Sequence, residues 1–154
     1  MPLQGPSPWL RVGDQCYRVV TRAIAHNSAA FTRQWAHHRC ARLREGGSRL
    51  HATLAVVNSN STNEALLQLI STTGRKVWIG LRKARNLDVA YHYADREETT
   101  AHWFNWKQPS EPVRECVYLE LESSAERPEL VWRTAACDAS DVHFALCQVD
   151  AMEL

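Results

Sequence analysis

Five cysteines, at positions 16, 40, 116, 137 and 147, carry the most evident chemistry of this 154-residue chain. No two have Cys-x-x-Cys spacing, which argues against a zinc ribbon or a thioredoxin-like redox site. Wide spacing suits disulfides, and closing a loop as long as that from 40 to 147 contributes roughly 4 kcal/mol in the chain-entropy model. The odd count leaves one cysteine over. His37 and His38 precede Cys40 on one predicted helix, but neighbouring histidines diverge by about 100° there, and a disulfide is a better use of Cys40 than a metal. Cys16 with His143 is conceivable as a nucleophilic pair, yet no activating motif surrounds Cys16, which precedes a strand and not a helix N-terminus. Asp138 and Asp141 flank Ser140 in what reads as a turn, not as paired catalytic carboxylates. Trp103, Phe104 and Trp106 could stack on a sugar or a base, although packing of a long loop is the commoner use. Asn60-Ser61-Thr62 is a sequon, making Asn60 a candidate glycosylation site. No catalytic residue, metal ligand or cofactor is assigned.

The length fits one domain over residues 1–154, with 45% hydrophobic and 23% charged residues, ordinary values for a soluble fold. No apolar run is long enough to cross a bilayer. The opening MPLQGPSPWL lacks the apolar core of a signal peptide, which is compatible with a mature fragment or an excised domain given a start Met. Net charge is +1, but residues 1–90 carry 13 of the 18 Lys/Arg and only 4 of the 17 Asp/Glu. Mutual attraction of the two halves is the plain reading; a basic face for an acidic partner is the sharper one.

Periodicity gives the elements. QCYRVVT, residues 15–21, reads as a strand. SAAFTRQWAHHRCARL reads as a helix with Ser28 as N-cap and Gly46-Gly47 as stop. Its apolar positions are Ala30, Phe31, Trp35, Ala36, Cys40 and Leu43; Arg33, His37, Arg39, Arg42 and Arg44 populate the other faces. Arg33, Arg39, Arg42 and Arg44 are thus a candidate site for a sulfated glycan or an acidic partner. STNEALLQLIS opens with Ser61 and Glu64 in capping-box spacing and is a second helix, ended by Gly74. KVWIGLR, VAYHYA, ECVYLEL, ELVWRT and VHFALCQV then read as strands. Residues 95–115, including WFNWKQPSEPVR, read as a long, irregular but packed loop. The class is α+β, two helices packed on mostly antiparallel sheet.

In this order the segments resemble the C-type lectin-like domain, from Trp9 to Gln148. Cys16-Tyr17 is similar to the family's first strand, and Ala36 with Cys40 to the Ala-xxx-Cys of its first helix. LAVVNSNSTNEALLQLI is similar to the segment entering its second helix. VWIGL, residues 77–81, is similar to its WIGL core motif, and HWFNWKQPSEP to its Trp-rich loop. ECVYL, VWRTAAC and FALC match its terminal cysteine and tryptophan landmarks. Two departures are Arg33, where an aromatic is usual, and a longer stretch at residues 45–50. The resemblance implies disulfides Cys40–Cys147 and Cys116–Cys137, neighbouring termini, and a binding face built from the long loop. Trp78, Ile79 and Leu81 are expected in the core.

Sugar-binding members hold calcium through Glu-Pro-Asn or Gln-Pro-Asp, a Glu shortly before the third cysteine, and Asn-Asp after the tryptophan. Calcium needs six to eight oxygen ligands. Here Gln108-Pro109-Ser110 and Glu111-Pro112-Val113 are incomplete triplets, Glu115 adjoins Cys116 with Arg114 in the expected place, and Trp132 is followed by Arg133-Thr134. The resemblance therefore implies an extracellular recognition module that takes a protein or anionic glycan without the usual calcium-bridged sugar site. Lys107, Gln108, Glu111, Glu115 and Arg133 are its candidate ligand-binding residues, although Glu97, Glu98 and Glu111 could hold calcium elsewhere. Alternatives are a calcium-dependent lectin with atypical ligands, a thiol enzyme, or a structural domain of a larger surface protein. Expected partners are a protein or glycan, with an anionic partner at the first helix, and neither nucleic acid nor direct membrane insertion. The chain is expected to be secreted or the extracellular part of a cell-surface protein. Long-form members begin Cys-Pro-x-x-Trp, where this chain has Gly5-Pro6-Ser7-Pro8-Trp9, so Cys16 lacks its usual partner. An inert buried thiol is the favoured reading of Cys16, with a dimer through Cys16 second.

Overall fold

QCYRVVT is a strand, Gln15–Thr21 (β2), and Leu10–Val12 (β1) folds back on it through Gly13, whose φ of 66° suits glycine. The structure, a computed structural model, describes residues 8–21, 32–72, 76–83, 91–93, 99–101, 103–107, 114–123, 127–139 and 141–154. After β2 come helix α1 (Arg33–Ala41), a hairpin of β3 (Arg44–Glu45) and β4 (Ser48–Arg49), and β5 (Thr53–Leu54). Helix α2 (Asn60–Ser71) precedes β6 (Lys76–Lys83), β7 (Tyr91–Tyr93) and β8 (Thr99–Thr100). The chain closes with β9 (Cys116–Ser123), β10 (Pro128–Ala135), β11 (Phe144–Asp150) and a 3-10 turn at Ala151–Glu153.

The main sheet runs β1-β2-β11-β6-β7-β8, with β9 branching from β6 and carrying β10, and β5 lying on β11. Its pairings are antiparallel except β6 with β11, where Val77 faces Phe144 and Trp78 faces Ala145. The fold is thus α+β, as expected, with one parallel junction at its centre. The disulfides are Cys40–Cys147 and Cys116–Cys137, the pairing implied by the resemblance, and Cys16 is a buried free thiol.

Side-chain alternation along β6 divides the core. Val77, Ile79 and Leu81 pack with Leu66, Ile70 and Trp132 on the α2 side, while Trp78 packs with Ala36, Cys40 and Cys147 on the α1 side. Trp78, Ile79 and Leu81 are fully buried. Each aliphatic side chain so buried contributes about 1.5–3 kcal/mol before entropy is charged against it. Gly80 is required by a close approach: a Cβ there would stand 3.0 Å from the Leu54 carbonyl oxygen.

Both helices start differently from the sequence expectation. Thr32 caps α1, its hydroxyl accepting from Trp35 N at 3.3 Å; the expected cap, Ser28, lies outside the described residues, as do Ala30 and Phe31. The helix ends at Ala41, and Gly46-Gly47 instead forms the β3–β4 turn, with φ of 59° and 85°. The buried stripe is Arg33, Ala36 and Cys40, which turns Trp35 outward to 50% exposure. Arg33, expected on an outer face, is only 5% exposed because it begins the helix beneath β6, donating through Nη2 to the Gly80 oxygen at 3.2 Å. Helix α2 is capped by Ser59, not Ser61; Ser59 Oγ accepts from Thr62 N at 3.2 Å. Glu64 consequently meets Asn60 Nδ2, at 3.3 Å, in place of a capping backbone amide. Gly74 lies outside the described residues.

Candidate functional site

Trp132 of β10 anchors residues 103–107 of the long loop. Its ring is fully buried, with Trp103, Phe104 and Trp106 edge-on at centroid distances of 5.5, 6.1 and 5.8 Å. Its Nε1 donates to Asn63 Oδ1 at 3.0 Å, and Asn63 Nδ2 donates to the Leu130 oxygen at 3.2 Å. The backbone joins the same arrangement: Trp132 N donates to Asn105 O at 2.9 Å, and Lys107 N to Trp132 O at 3.1 Å. The aromatic triplet is therefore largely packing for the loop. Asn63, a buried polar residue inside α2, is the element of this arrangement that sequence reasoning missed; an asparagine on the helix's apolar stripe, three residues before Leu66, was the available signal.

Lys107 and Arg133 stand on either side of Trp132, and both engage carboxylates of β9. Arg133 faces Tyr118 across the ladder, so its diagonal neighbour is Glu120, and Nη1 lies 3.4 Å from Glu120 Oε1. Lys107 pairs with Glu122. Glu115 lies just before β9, paired with Arg82, and lines a cleft of about 520 Å³ against α1 with Arg33, His37 and Asp138. Of the five candidate binding residues, then, Lys107 and Arg133 serve one ladder and Glu115 its far end. Gln108 and Glu111, with Glu97 and Glu98, lie outside the described residues. Opposite Arg133 on β9, Tyr118 is pushed up in pKa by burial, and Asp141, before β11, is held low by its hydrogen bond from Lys76 at 3.0 Å.

The other chemical readings meet the geometry as follows. Among the described residues, the grouping with metal-ligand proximity is Glu115, Cys116 and Cys137, but its two sulfurs are bonded to each other. Cys40 is likewise spent on Cys147. Cys16 pairs with Val149 at one end of β11, and His143 precedes its other end. Six residues at about 3.3 Å each put the two roughly 20 Å apart, which leaves no Cys/His couple. Asp138 sits in a turn closed by Ala139 N donating to Ala136 O at 3.0 Å. Asn60, the sequon residue, is exposed on the first turn of α2.

Cys16 is 4% exposed, and burial pushes its thiol pKa up, with the Arg11 charge pulling weakly the other way. A raised pKa keeps it a thiol at neutral pH, the unreactive form. Iodoacetamide at pH 8 is therefore expected to leave native Cys16 unmodified and to alkylate it fully in denaturant, as read by intact mass. Rapid native labelling, or a chain of doubled mass on a non-reducing gel, would instead place this sulfur at the surface.

The family described as lectin C-type domain matches residues 34–149. Among solved structures, the cow C-type carbohydrate-recognition domain of CD23, determined with a GlcNAc2Man3 oligosaccharide, is similar with a TM-score of 0.66 and 22% identity over 96% of this chain and 97% of that one. Human lithostathine gives 0.67 and 17% over 96% and 91%. A calcium-independent type II antifreeze protein gives 0.62 and 21% over 97% of each. At these identities the likeness is one of fold. No curated protein matches the chain in sequence.

Proposed function

Because the chain belongs to the lectin C-type domain family, whose members are ligand-recognition modules, we propose that it takes a protein or an anionic glycan without a bridging calcium ion. The observation that carries this reading is the occupancy of three described carboxylates, two on β9 and one just before it, by the chain's own cations. Glu120 holds Arg133, Glu122 holds Lys107, and Glu115 holds Arg82. Each pair is about one-third exposed and stabilises the fold by at most ~1 kcal/mol. Their importance is electrostatic. A divalent ion arriving here meets a fixed guanidinium where the resemblance leads one to expect carboxylate and amide oxygens. The calcium-independent antifreeze relative supports the same reading, since this fold does not require the ion.

Domains of this family are generally non-enzymatic, and typically extracellular or at the cell surface; among the described residues no helix is long and apolar enough to cross a membrane. We read this chain likewise as secreted or as the outer part of a surface protein, with Asn60 carrying its glycan. The burial of Cys16 supports an inert thiol over a covalent dimer.

Thermal melts in 5 mM calcium and in EDTA test the proposal. Calcium at ten times its Kd would add ~1.4 kcal/mol, or about 3–6 °C for a chain of this size. The expected shift is under about 1 °C. A shift of several degrees, lost on Glu111→Gln or Glu115→Gln, would return the chain to the calcium-dependent lectins.

A further inference from the structure

Among the described residues the basic excess of residues 1–90 is only partly neutralised by the acidic remainder, which takes up Lys76 and Arg82. Each ion-paired carboxylate among the described residues holds a partner elsewhere: Glu115 with Arg82, Glu120 with Arg133, Glu122 with Lys107, Asp141 with Lys76 and Glu153 with His51. Arg18, Arg39, Arg42, Arg44 and Arg49 meet no carboxylate among the described residues; their recorded partners are backbone oxygens and a ring. Arg39 Nε donates to Thr21 O at 3.0 Å, Arg44 Nη1 to Gly47 O at 3.0 Å and Arg49 Nε to Ala41 O at 3.1 Å. Arg18 stacks over Trp9 at 5.8 Å.

The fold gathers these five. Arg18 lies opposite Cys147, whose sulfur is bonded to Cys40, the neighbour of Arg39, so the disulfide holds strand and helix cations together. Burial, and after it the nearby Arg18 charge, pulls Arg39 below the usual guanidinium range. Just beyond the same end of α1, Arg44 and Arg49 are direct cross-strand partners on an exposed hairpin. Like charges in that position are destabilising unless something neutralises them. Trp35, His38, Arg39 and Arg42 fall at helical spacings of three, four and seven, forming one outward stripe about 10 Å long. Helix-dipole complementarity accounts for cations at the end of α1; it does not account for Arg18 on β2 or for the Arg44–Arg49 pair. Glu45 is the nearby acid in sequence, but it pairs in register with Ser48 and points from the opposite face of the hairpin.

We infer that this face, built from Arg18, Arg39, Arg42, Arg44 and Arg49 with Trp35 at its rim, is a docking site for a linear sulfated polysaccharide. Every strong cation in it is arginine, whose planar fork matches a sulfate with two parallel hydrogen bonds. The half-exposed Trp35 ring offers a flat apolar surface suited to the C–H face of a pyranose. Charges spread along a helix and onto a hairpin call for an extended polymer with repeated anions, not a single ion. The sequence placed Arg33 in this set; its burial removes it, and the register of β2 and β4 brings in Arg18 and Arg49. The inference sharpens the anionic-glycan part of the proposed function and does not depend on the state of the calcium loop.

Retention of the chain on immobilised heparin, in EDTA and in calcium, is the test. Elution is expected well above 0.15 M NaCl and equal in both buffers. Arg44→Gln/Arg49→Gln and Arg39→Gln/Arg42→Gln are each expected to lose about tenfold in affinity, with the salt slope falling by about one per arginine removed. Trp35→Ala is expected to weaken binding without changing the slope, and Arg44→Lys/Arg49→Lys to fall between wild type and the Gln variant. Chondroitin sulfate competes; hyaluronan and polyglutamate, which offer carboxylates alone, compete poorly. Both hairpin residues are exposed, so the Arg44/Arg49 variants keep the wild-type melting temperature. Elution unchanged in the Gln variants overturns the inference, as does polyglutamate competing as well as heparin, which would make this a face for acidic protein. A large calcium shift in the melts with heparin binding intact would sink the calcium reading alone.

Discussion

Replacing Cys40 and Cys147 together by alanine is expected to lower the unfolding free energy by about 4–5 kcal/mol, the loop-entropy value for roughly a hundred residues. The bond spans 107 residues, against 21 for Cys116–Cys137, whose loss is expected to cost ~3 kcal/mol. The larger bond also joins α1 to the central strand β11 in the part of the core that contains Trp78. Denaturant titrations of the two double variants give both numbers, and the m-value should rise as the midpoint falls, because the uncrosslinked denatured chain exposes more surface. Equal losses for the two bonds, or a larger loss for Cys116–Cys137, would show that native packing and not chain closure sets their worth.

Trp132→Ala is expected to cost about 3–5 kcal/mol, the range for emptying a large aromatic site. Three rings lose the edge contacts that hold residues 103–107, and Asn63 Oδ1 loses its donor inside the core. Leaving that oxygen without a partner costs a further ~1–3 kcal/mol unless water reaches it. Trp132→Phe separates the two effects, keeping most of the ring and deleting the N–H. Combined with Asn63→Leu in a double-mutant cycle, it should show a coupling of about 1 kcal/mol or more. Additive losses would mean that the indole hydrogen bond contributes nothing beyond packing. Near-ultraviolet circular dichroism is expected to lose most of its aromatic signal in Trp132→Ala even under conditions where the chain remains folded.

How much of this could be read beforehand depended on whether a contact is local or distant. The runs at 15–21, 76–82 and 115–121 marked sheet correctly, because β-branched, aromatic or alternating residues are visible within a few positions. The core role of Trp78, Ile79 and Leu81 followed from the likeness of VWIGL to the family's core motif. Helix α1 was harder, since only three of its nine residues are buried and one of those is an arginine. Nothing within the helix indicates that Arg33 will reach the Gly80 carbonyl, 47 positions away. Gly46-Gly47 signalled a break, but not that two arginines on either side would face each other as a hairpin. The candidate site was legible as residue types around Trp132. The pairing of Arg133 with Glu120 and Lys107 with Glu122 depends on the β9–β10 register, which no stretch of local sequence states.

The parting of strands under load follows from the meeting of β2 and β11. Gln15 pairs with Asp150, and Ala151 N donates to Asp14 O at 2.8 Å, so β2 and the last strand, β11, present their outer ends at the same edge. Tension applied through the two ends of this sequence would draw these strands apart like a zip, loading one hydrogen-bonded pair at a time instead of all together. Once β1 has peeled from β2, three pairs of β2 with β11 would give way, at Asp150, Val149 and Gln148, before the opening reached Cys147. There the sulfur bond to Cys40 takes the force, and everything between residues 40 and 147 is shielded from it. Such a domain yields early at its margins while the hairpin arginines, the aromatic cluster and the loop behind them stay at rest.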